Sequence, residues 1–265
     1  MLNLKVKMDG AVISMFKGEE GNKRILIYNP LSIFYLVLLL FLTIFLLPYL
    51  IFAGRIISYS LEIPPKAIFM IFLLSLFGSQ VNLKIREARS IQPVLAFREI
   101  SFFGVKWCIP EFQYGIRKTI ISVNVGGALI PVLFSLFLLF YSIPALEQNL
   151  TVAYLKVFVA FIVVTLVVHK LARPIKGLGI AVPFFIPPLT AALASAVLFP
   201  IYVKTNPFII AYVGGTLGTL VGADLLNLGK ISEIGAPIVS IGGAGIFDGV
   251  YLTGITAIFL LWLIV

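Results

Sequence analysis

The sequence predicts an all-α, polytopic membrane helical bundle of about seven transmembrane helices, with a small β element on its cytoplasmic side. Three observations lead to this fold class. The chain has 265 residues, 60% hydrophobic and only 12% charged, and a soluble domain of that length cannot bury so many apolar side chains. The apolar residues form runs long enough to cross a bilayer. The basic residues are concentrated in alternate connections between those runs.

The lengths of the apolar runs define the spans. A helix needs about 20 mainly apolar residues to cross a hydrocarbon core of roughly 30 Å. Six runs meet this requirement: Leu31–Ala53, Pro65–Leu83, Thr119–Ile143, Val152–Leu171, Gly179–Tyr202 and Pro207–Leu228. A final apolar stretch, Gly235–Val265, is too long for one span and too short for two. We therefore predict a last span at Ile246–Val265, preceded by a non-helical segment, Gly235–Gly245, that is shielded from lipid because bare backbone is costly in hydrocarbon.

The distribution of lysine and arginine orients the spans in a cell membrane. If the N-terminus is cytoplasmic, sixteen basic residues fall on the cytoplasmic side, which is the side that such residues favour. The opposite side receives Arg55, Lys66 and Lys204, with Lys156 just inside the start of the fourth span. This topology divides the chain into a cytoplasmic segment at residues 1–30 and a membrane domain at residues 31–265, which includes a basic cytoplasmic loop at residues 84–118. Seven spans then place Val265 outside.

Composition also narrows the function classes. The net charge of +9 lies in short connections between spans, so topology explains it and no nucleic-acid partner is predicted; the lipid bilayer is the expected partner. Cys108 is the single cysteine, which excludes an internal disulfide and a multi-cysteine metal cluster. No metal and no cofactor are predicted, and no removable signal peptide is visible in the first thirty residues.

Two cytoplasmic segments have strand patterns. Residues 2–17 alternate polar and apolar side chains around Asp9-Gly10, a dipeptide typical of two-residue hairpin turns. Glu99–Ile109 also has the composition of a strand. The prediction is a small sheet on the membrane surface, with Phe102, Phe103 and Trp107 at the headgroup level; a pair of ordinary loops is the alternative.

Two acids fall inside the predicted spans, where a charge costs a few kcal/mol or more. Asp224 lies four residues before the cytoplasmic end of the sixth span, and Asp248 lies near the cytoplasmic start of the last one. Consecutive antiparallel spans therefore hold both carboxylates at a similar depth. Two adjacent carboxylates share one proton, so one acts as general base and the other as general acid around a bound water. The alternative is structural: Asp248 caps the last helix and Asp224 faces Lys230.

Other residues near the aspartates complete the candidate site. A stripe of small residues at Gly214, Gly218 and Gly222 is expected to let neighbouring helices approach closely. Prolines in the fifth predicted span, Pro183, Pro187 and Pro188, must break or kink that helix. The candidate ligands for a substrate or an ion are Asn124, Gly243, Gly245 and Tyr251.

The stretch GGTLGTLVGADLLNLGKISEIGAPIVSIGGAGIFDGVYLTG, residues 214–254, resembles an uncharacterised family of archaeal and bacterial multi-pass membrane proteins. The resemblance extends from Phe102 to the C-terminus and implies a membrane location without an established activity. The chain is more distantly similar to the presenilin, signal-peptide-peptidase and prepilin-peptidase group, which implies one catalytic aspartate on each of two neighbouring spans. It departs from the Gly-x-Gly-Asp motif of that group, because Asp248 comes two residues late, after Gly243-Ala244-Gly245-Ile246-Phe247, and Ala223 replaces a tyrosine.

Three functions follow from these features. The first is an intramembrane aspartyl hydrolase that cuts single-span membrane peptides with Asp224 and Asp248. The second is a proton- or cation-coupled transporter of a small solute that uses the same aspartates. The third is a scaffold that presents the basic loop to a cytoplasmic partner or an anionic lipid. The oligomeric state is left open by the sequence.

Overall fold

A computed structural model describes residues 25–27, 41, 51–102, 105–175, 179–230, 238–243 and 249–265, with the backbone alone at 25–27, 89–102 and 105–117. This part of the chain is mostly helical and contains seven apolar helices. They are α1 (Ile51–Leu61), α2 (Pro65–Gly78), α3 (Val125–Leu146), α4 (Leu150–Leu171), α5 (Ile186–Leu198), α6 (Pro207–Lys230) and α7 (Gly249–Ile264). The strands are β1 (Ile25–Ile27), β2 (Val81–Phe102), β3 (Val105–Asn124), β4 (Arg173–Ile175), β5 (Gly179–Ala181) and β6 (Ile238–Ile241).

The lengths and surfaces of the helices define a membrane-embedded bundle. Three helices, α3, α4 and α6, are long and apolar enough to cross a membrane, and the other four are shorter apolar helices. Large apolar side chains on the outside of the bundle, such as Phe140 at 75% exposure and Val197 at 65%, would face water in a soluble protein. Their abundance indicates that lipid surrounds the bundle.

The connections gather at two ends of the bundle. At one end, called here the loop end, Asn206 at the start of α6 donates its side-chain amide to the Ser60 carbonyl of α1 (3.0 Å), and its backbone N–H to Glu147 Oε1 after α3 (2.6 Å). At the opposite end, called the sheet end, β6 pairs with β3. The described helices α2–α7 run alternately between these two ends.

The sheet is larger than the sequence suggested. Its strand order is β1-β2-β3-β6, with β1–β2 and β2–β3 antiparallel and β3–β6 parallel. Within the predicted strand Glu99–Ile109, the described residues 99–102 and 105–109 are extended, as predicted, but they belong to two strands, the end of β2 and the start of β3. Residues Thr119–Asn124, predicted as the start of a span, are the end of β3. Half of these six residues are apolar, and Ile121 among them is buried against Ala128, Val239 and Ile241. Hydropathy alone does not distinguish such burial in protein from contact with lipid.

Several predicted spans are shortened at the sheet end. The second ends at Gly78, since Val81–Leu83 pairs with β1. In the fifth, β5 and β4 form a two-stranded ribbon, and α5 begins only at Ile186. Pro187 and Pro188 lie in the first turn of α5. Backbone N–H groups in a first turn make no hydrogen bond within the helix, so a proline there removes none. The prolines therefore start the helix rather than kink it.

The predictions for the N-terminal part of the chain fall largely outside the described residues, whereas those for the C-terminal part can be compared with the structure. The predicted N-terminal hairpin and most of the first predicted span lie outside the described residues, and α1 continues to Leu61, beyond the predicted end at Ala53. In the C-terminal stretch, the prediction of a non-helical segment is confirmed, because Ile238–Ile241 is strand β6 and Gly242 and Gly243 have φ of +80° and +100°. Val239 and Ile241 are buried, so this strand is shielded by protein.

The glycine stripe allows a close helix contact, as predicted, and its partner is α4. A Cβ on Gly214 would lie 2.9 Å from Ala160 Cβ, and one on Gly218 would lie 2.7 Å from Val164 Cβ, both on α4. The stripe therefore brings α6 against α4 and not against α7. The α6–α7 contact uses the adjacent face, where Gly254 of α7 leaves room for Tyr212 and for the Thr216 hydroxyl.

Candidate functional site at the sheet end of the bundle

Asp224 lies near the end of α6 in a turn of π-helix. Residues Leu220–Asp224 form this turn, and the Leu225 N–H bonds the Leu220 carbonyl, five residues back. The Asp224 side chain is half-buried. The structural alternative places Asp224 opposite Lys230, but Lys230 donates to Asn227 Oδ1 at 2.8 Å. Within the described parts of the chain, Asp224 has no ion-pair partner.

Gly242 supplies the hydrogen bond that Asp224 accepts. Its backbone N–H donates to Asp224 Oδ2 at 3.0 Å. Its φ of +80° is a conformation that favours glycine, and a Cβ there would lie 2.3 Å from Ala128 Cβ and 2.7 Å from Ala128 N. Only glycine fits this position without displacement. The Asp224 carboxylate is thereby tied to the segment that leads to Asp248.

A network of buried amides and hydroxyls fixes that segment on its other side. Ser240 Oγ of β6 donates to Asn82 Oδ1 (2.6 Å), and Asn124 Nδ2 donates to the same oxygen (3.2 Å) and to the Ser79 carbonyl (2.7 Å). Asn124 Oδ1 caps α3 by accepting from the Gly127 N–H (2.7 Å). Both amide hydrogens of Asn124 therefore have acceptors inside the protein. Asn124, predicted as a ligand, instead uses its amide to connect the sheet to the helical bundle.

The contact between α6 and α7 sets the relative height of the two helices. Thr219 Oγ1 and Thr253 Oγ1 lie 3.4 Å apart, and both residues are buried. Asp224 follows Thr219 by five residues, and Asp248 precedes Thr253 by five. Asp224 ends the π-turn of α6, and its carboxylate accepts from the Gly242 N–H, on the segment that leads toward α7.

The remaining candidates are distributed around this junction. Gly243 donates its N–H to the Ser240 carbonyl at 3.3 Å, which closes a turn after β6. Tyr251, on the first turns of α7, has its hydroxyl beside the Ser75 side chain of α2. Asp248 and Gly245 lie outside the described residues. Among the described residues no group of three His, Cys, Asp or Glu side chains could hold a metal ion.

Sequence reasoning missed three residues that build this junction: Gly242, Asn82 and Ser240. The pair Gly242-Gly243 was available as a signal of positive φ. Asn82 and Ser240 are far apart in the chain, so their pairing follows only from the β3–β6 ladder and the fold around it. The junction as a whole holds one carboxylate beside a rigid, non-helical backbone segment between two apolar helices. Such a site can bind a cation, or it can activate water if a second acid is present.

The fold and this junction together define a class: a membrane-embedded helical bundle whose last helices are joined through a strand of a sheet at one end. Comparison with family models identifies the particular family. The model described as "Protein of unknown function (DUF1614)" matches residues 76–260, and the chain belongs to this family. The predicted resemblance to an uncharacterised membrane family is thus confirmed, whereas the distant similarity to presenilins stays a prediction. Neither the curated proteins nor the solved structures include a match.

Proposed function

We propose that this protein is an intramembrane aspartyl hydrolase in which Asp224 and Asp248 form an acid/base pair near the cytoplasmic end of the bundle. The observation that carries the proposal is the Thr219–Thr253 contact between α6 and α7. Each aspartate is five residues from its threonine, toward the sheet end. Helical rise is about 1.5 Å per residue, so Gly249, which follows Asp248 in the sequence, lies about 6 Å before Thr253 along α7, a distance comparable to that between Thr219 and Asp224 along α6.

The fixed segment before α7 supports the same pairing. Strand β6 is held by the β3 ladder and by Asn82, and Gly242 bonds Asp224 directly. Asp248 follows Gly242 by six residues and immediately precedes Gly249, the first residue of α7. The chain that carries Asp248 is therefore anchored to Asp224 on one side and to the α6–α7 contact on the other.

The chemistry proposed is peptide-bond hydrolysis without a metal. The ionised aspartate removes a proton from a bound water, and the water oxygen attacks the peptide carbonyl carbon while the protonated aspartate donates its proton to the carbonyl oxygen. Collapse of this intermediate breaks the C–N bond, and the leaving nitrogen takes up a proton. The substrate class is a single-span membrane peptide, because the surrounding surface is apolar.

A transporter is the second candidate, and one observation favours it. Strand β6 and the two glycines with positive φ form a non-helical interruption between α6 and α7, beside an acid that has no basic partner among the described residues. Interrupted helices that place backbone next to an ionisable group are typical of proton- and cation-coupled transporters. In that function Asp224 would bind the ion.

The test compares four purified proteins in liposomes with a mixture of single-span peptides: wild type, Asp224→Asn, Asp248→Asn and Glu147→Gln. An asparagine at 224 keeps an oxygen for the Gly242 N–H, so Asp224→Asn should unfold at the temperature of the wild type. Mass spectrometry should detect cleavage by wild type and a loss of about 100-fold or more in each aspartate variant, the range for removal of a general acid or base. Glu147→Gln, at the loop end, is the matched control and should cut as wild type does.

Two outcomes contradict the hydrolase. One is a wild type that cuts no peptide, and the other is an aspartate variant that cuts as fast as wild type. Ion flux measured in the same liposomes separates the candidates, because wild-type proton or cation flux that Asp224→Asn abolishes, without any cut peptide, identifies the transporter.

A further inference from the structure

The hairpin β2–β3 extends far beyond the rest of the sheet. Strand β1 pairs with β2 only at Val81–Leu83, and β6 pairs with β3 only at Ile120–Val123. Beyond those pairs, strands β2 and β3 remain paired from Ala88 to Phe102, a ribbon of about 50 Å at roughly 3.3 Å per residue. Over this length no third strand flanks it in the described part of the chain. A two-stranded ribbon is marginally stable alone, so it needs a covering partner.

The backbone register gives this ribbon two different faces. The four consecutive pairs on one face are Ile91–Ile116, Pro93–Tyr114, Leu95–Phe112 and Phe97–Pro110. The alternate pairs on the other face include Ser90–Arg117, Gln92–Gly115, Val94–Gln113 and Ala96–Glu111. Since successive strand residues alternate between faces, one face carries eight apolar or aromatic positions in a row. We call it the apolar face.

The apolar face begins with a pair of like charges. Arg89 and Lys118 are direct cross-strand partners on this face, next to Ile91–Ile116 at the end nearest the bundle. Two cations directly opposite each other destabilise a sheet unless an anion neutralises them. The ribbon as a whole, residues 84–118, carries seven basic and three acidic residues, a net charge of +4. Its partner must therefore be anionic as well as apolar.

The opposite face is already covered at its base. Ile121, on the face that carries Arg86, is buried against Ala128, Val239 and Ile241. Lys118, on the apolar face, is exposed. The right-handed twist of a two-stranded ribbon, larger than that of a wide sheet, turns its faces progressively away from their orientation at the base. The apolar face is thus available to a partner that the bundle itself does not supply.

We propose that the β2–β3 ribbon is a membrane-surface anchor whose apolar face lies on the anionic leaflet at the sheet end of the bundle. The Arg89–Lys118 pair supplies the positive charge that attracts anionic headgroups to this face, and the face with the four apolar pairs is the one that meets the bilayer surface. The charge pattern selects this occupant over a second copy, because two ribbons of net charge +4 repel each other. Anchoring in the bundle also keeps the ribbon within reach of the bilayer at all times.

The test uses the full chain in nanodiscs that hold one copy each. In a Cys108→Ser background, a spin label is attached at Phe112→Cys on the apolar face or at its neighbour Gln113→Cys on the opposite face. In discs with phosphatidylglycerol, label 112 should be accessible to oxygen in lipid and protected from a nickel complex in water, whereas label 113 should show the reverse. If Phe112→Cys lowers the unfolding temperature, Leu95→Cys, its cross-strand partner, replaces it.

Charge variants then test the headgroup contact. Arg89→Gln with Lys118→Gln should reduce the ratio of bound to free ribbon about 30-fold, equivalent to about 2 kcal/mol at roughly 1 kcal/mol per basic residue near an anionic surface. Discs of phosphatidylcholine alone should show a similar loss. The matched control, Arg98→Gln with Arg117→Gln, removes two charges from the other face and should have a smaller effect.

Two results overturn the proposal. The first is equal exposure of labels 112 and 113 to the nickel complex in anionic discs. The second is protection of label 112 only in discs that hold two copies, which would assign the apolar face to a second chain.

Discussion

Gly242→Ala tests the junction between β6 and α6 most directly. The new methyl group would lie 2.3 Å from Ala128 Cβ and within 3 Å of two Ala128 backbone atoms, on a residue whose φ is +80°. A non-glycine residue in the left-handed region costs about 1–2 kcal/mol, and overpacking a tight site costs about 1–3 kcal/mol. We therefore expect a loss of about 2–5 kcal/mol, which corresponds to a decrease of about 5–15 °C in unfolding temperature.

The assay is thermal unfolding of the purified protein in detergent, followed by tryptophan fluorescence. Gly229→Ala is the control, because a Cβ at that position meets no atom within 4 Å, and its unfolding temperature should equal that of wild type. Adding Ala128→Gly to Gly242→Ala should restore only part of the stability, since the backbone N and Cα of residue 128 stay in place. If Gly242→Ala unfolds within a degree or two of Gly229→Ala, the inferred packing at this junction is wrong.

Three further predictions concern buried polar groups and topology. Lys156→Met should destabilise the protein by about 1–3 kcal/mol, because the buried ammonium donates to the carbonyls of residues 199 and 203. Lys204 is exposed, so Lys204→Met should not destabilise the protein. Equal unfolding temperatures for the two variants would refute the role of Lys156. Asn124→Ala should lower the free energy of unfolding by about 2–4 kcal/mol, because it removes the α3 cap and leaves buried partners unpaired. The same thermal unfolding assay measures this, and an unchanged unfolding temperature would contradict it. A reporter fused after Val265 should be found outside the cell and one inserted near Arg89 inside, and a common side for both would refute the proposed orientation.

The hydrolase and anchor proposals are independent of each other. The hydrolase depends on the α6–α7 contact and on Asp224, whereas the anchor depends on the register and charges of the β2–β3 ribbon. Loss of peptide cleavage in Asp224→Asn would leave the position of label 112 unchanged. Conversely, the ribbon could lie on the membrane in a protein that transports an ion or cuts no peptide at all.

An acid at this junction could be identified from the sequence, whereas the residue that it bonds could not. A carboxylate in an apolar run is visible in the sequence because its burial is costly. The hydrogen-bond partner of that carboxylate is not visible in the sequence, because hydrogen bonds between residues far apart in the chain depend on how the helices and strands pack. The structural alternative placed Asp224 opposite Lys230, yet Lys230 donates to Asn227, and Asp224 accepts from the Gly242 N–H. A π-turn at Leu220–Asp224 has no signal in residue composition.

The sequence by itself determined that this chain is embedded in a membrane, which of its segments are apolar helices, and that Gly235–Gly245 could not be wholly helical. These properties follow from composition and length. Each segment in a membrane must by itself be apolar enough to contact lipid and must have hydrogen bonds for its own backbone. Only the tertiary structure decided that Thr119–Asn124 is a strand, that the glycine stripe packs on α4, and that Asn124 joins sheet to bundle. Each of these depends on a partner distant in the chain, and an apolar residue buried against protein has the same hydropathy as one that faces lipid.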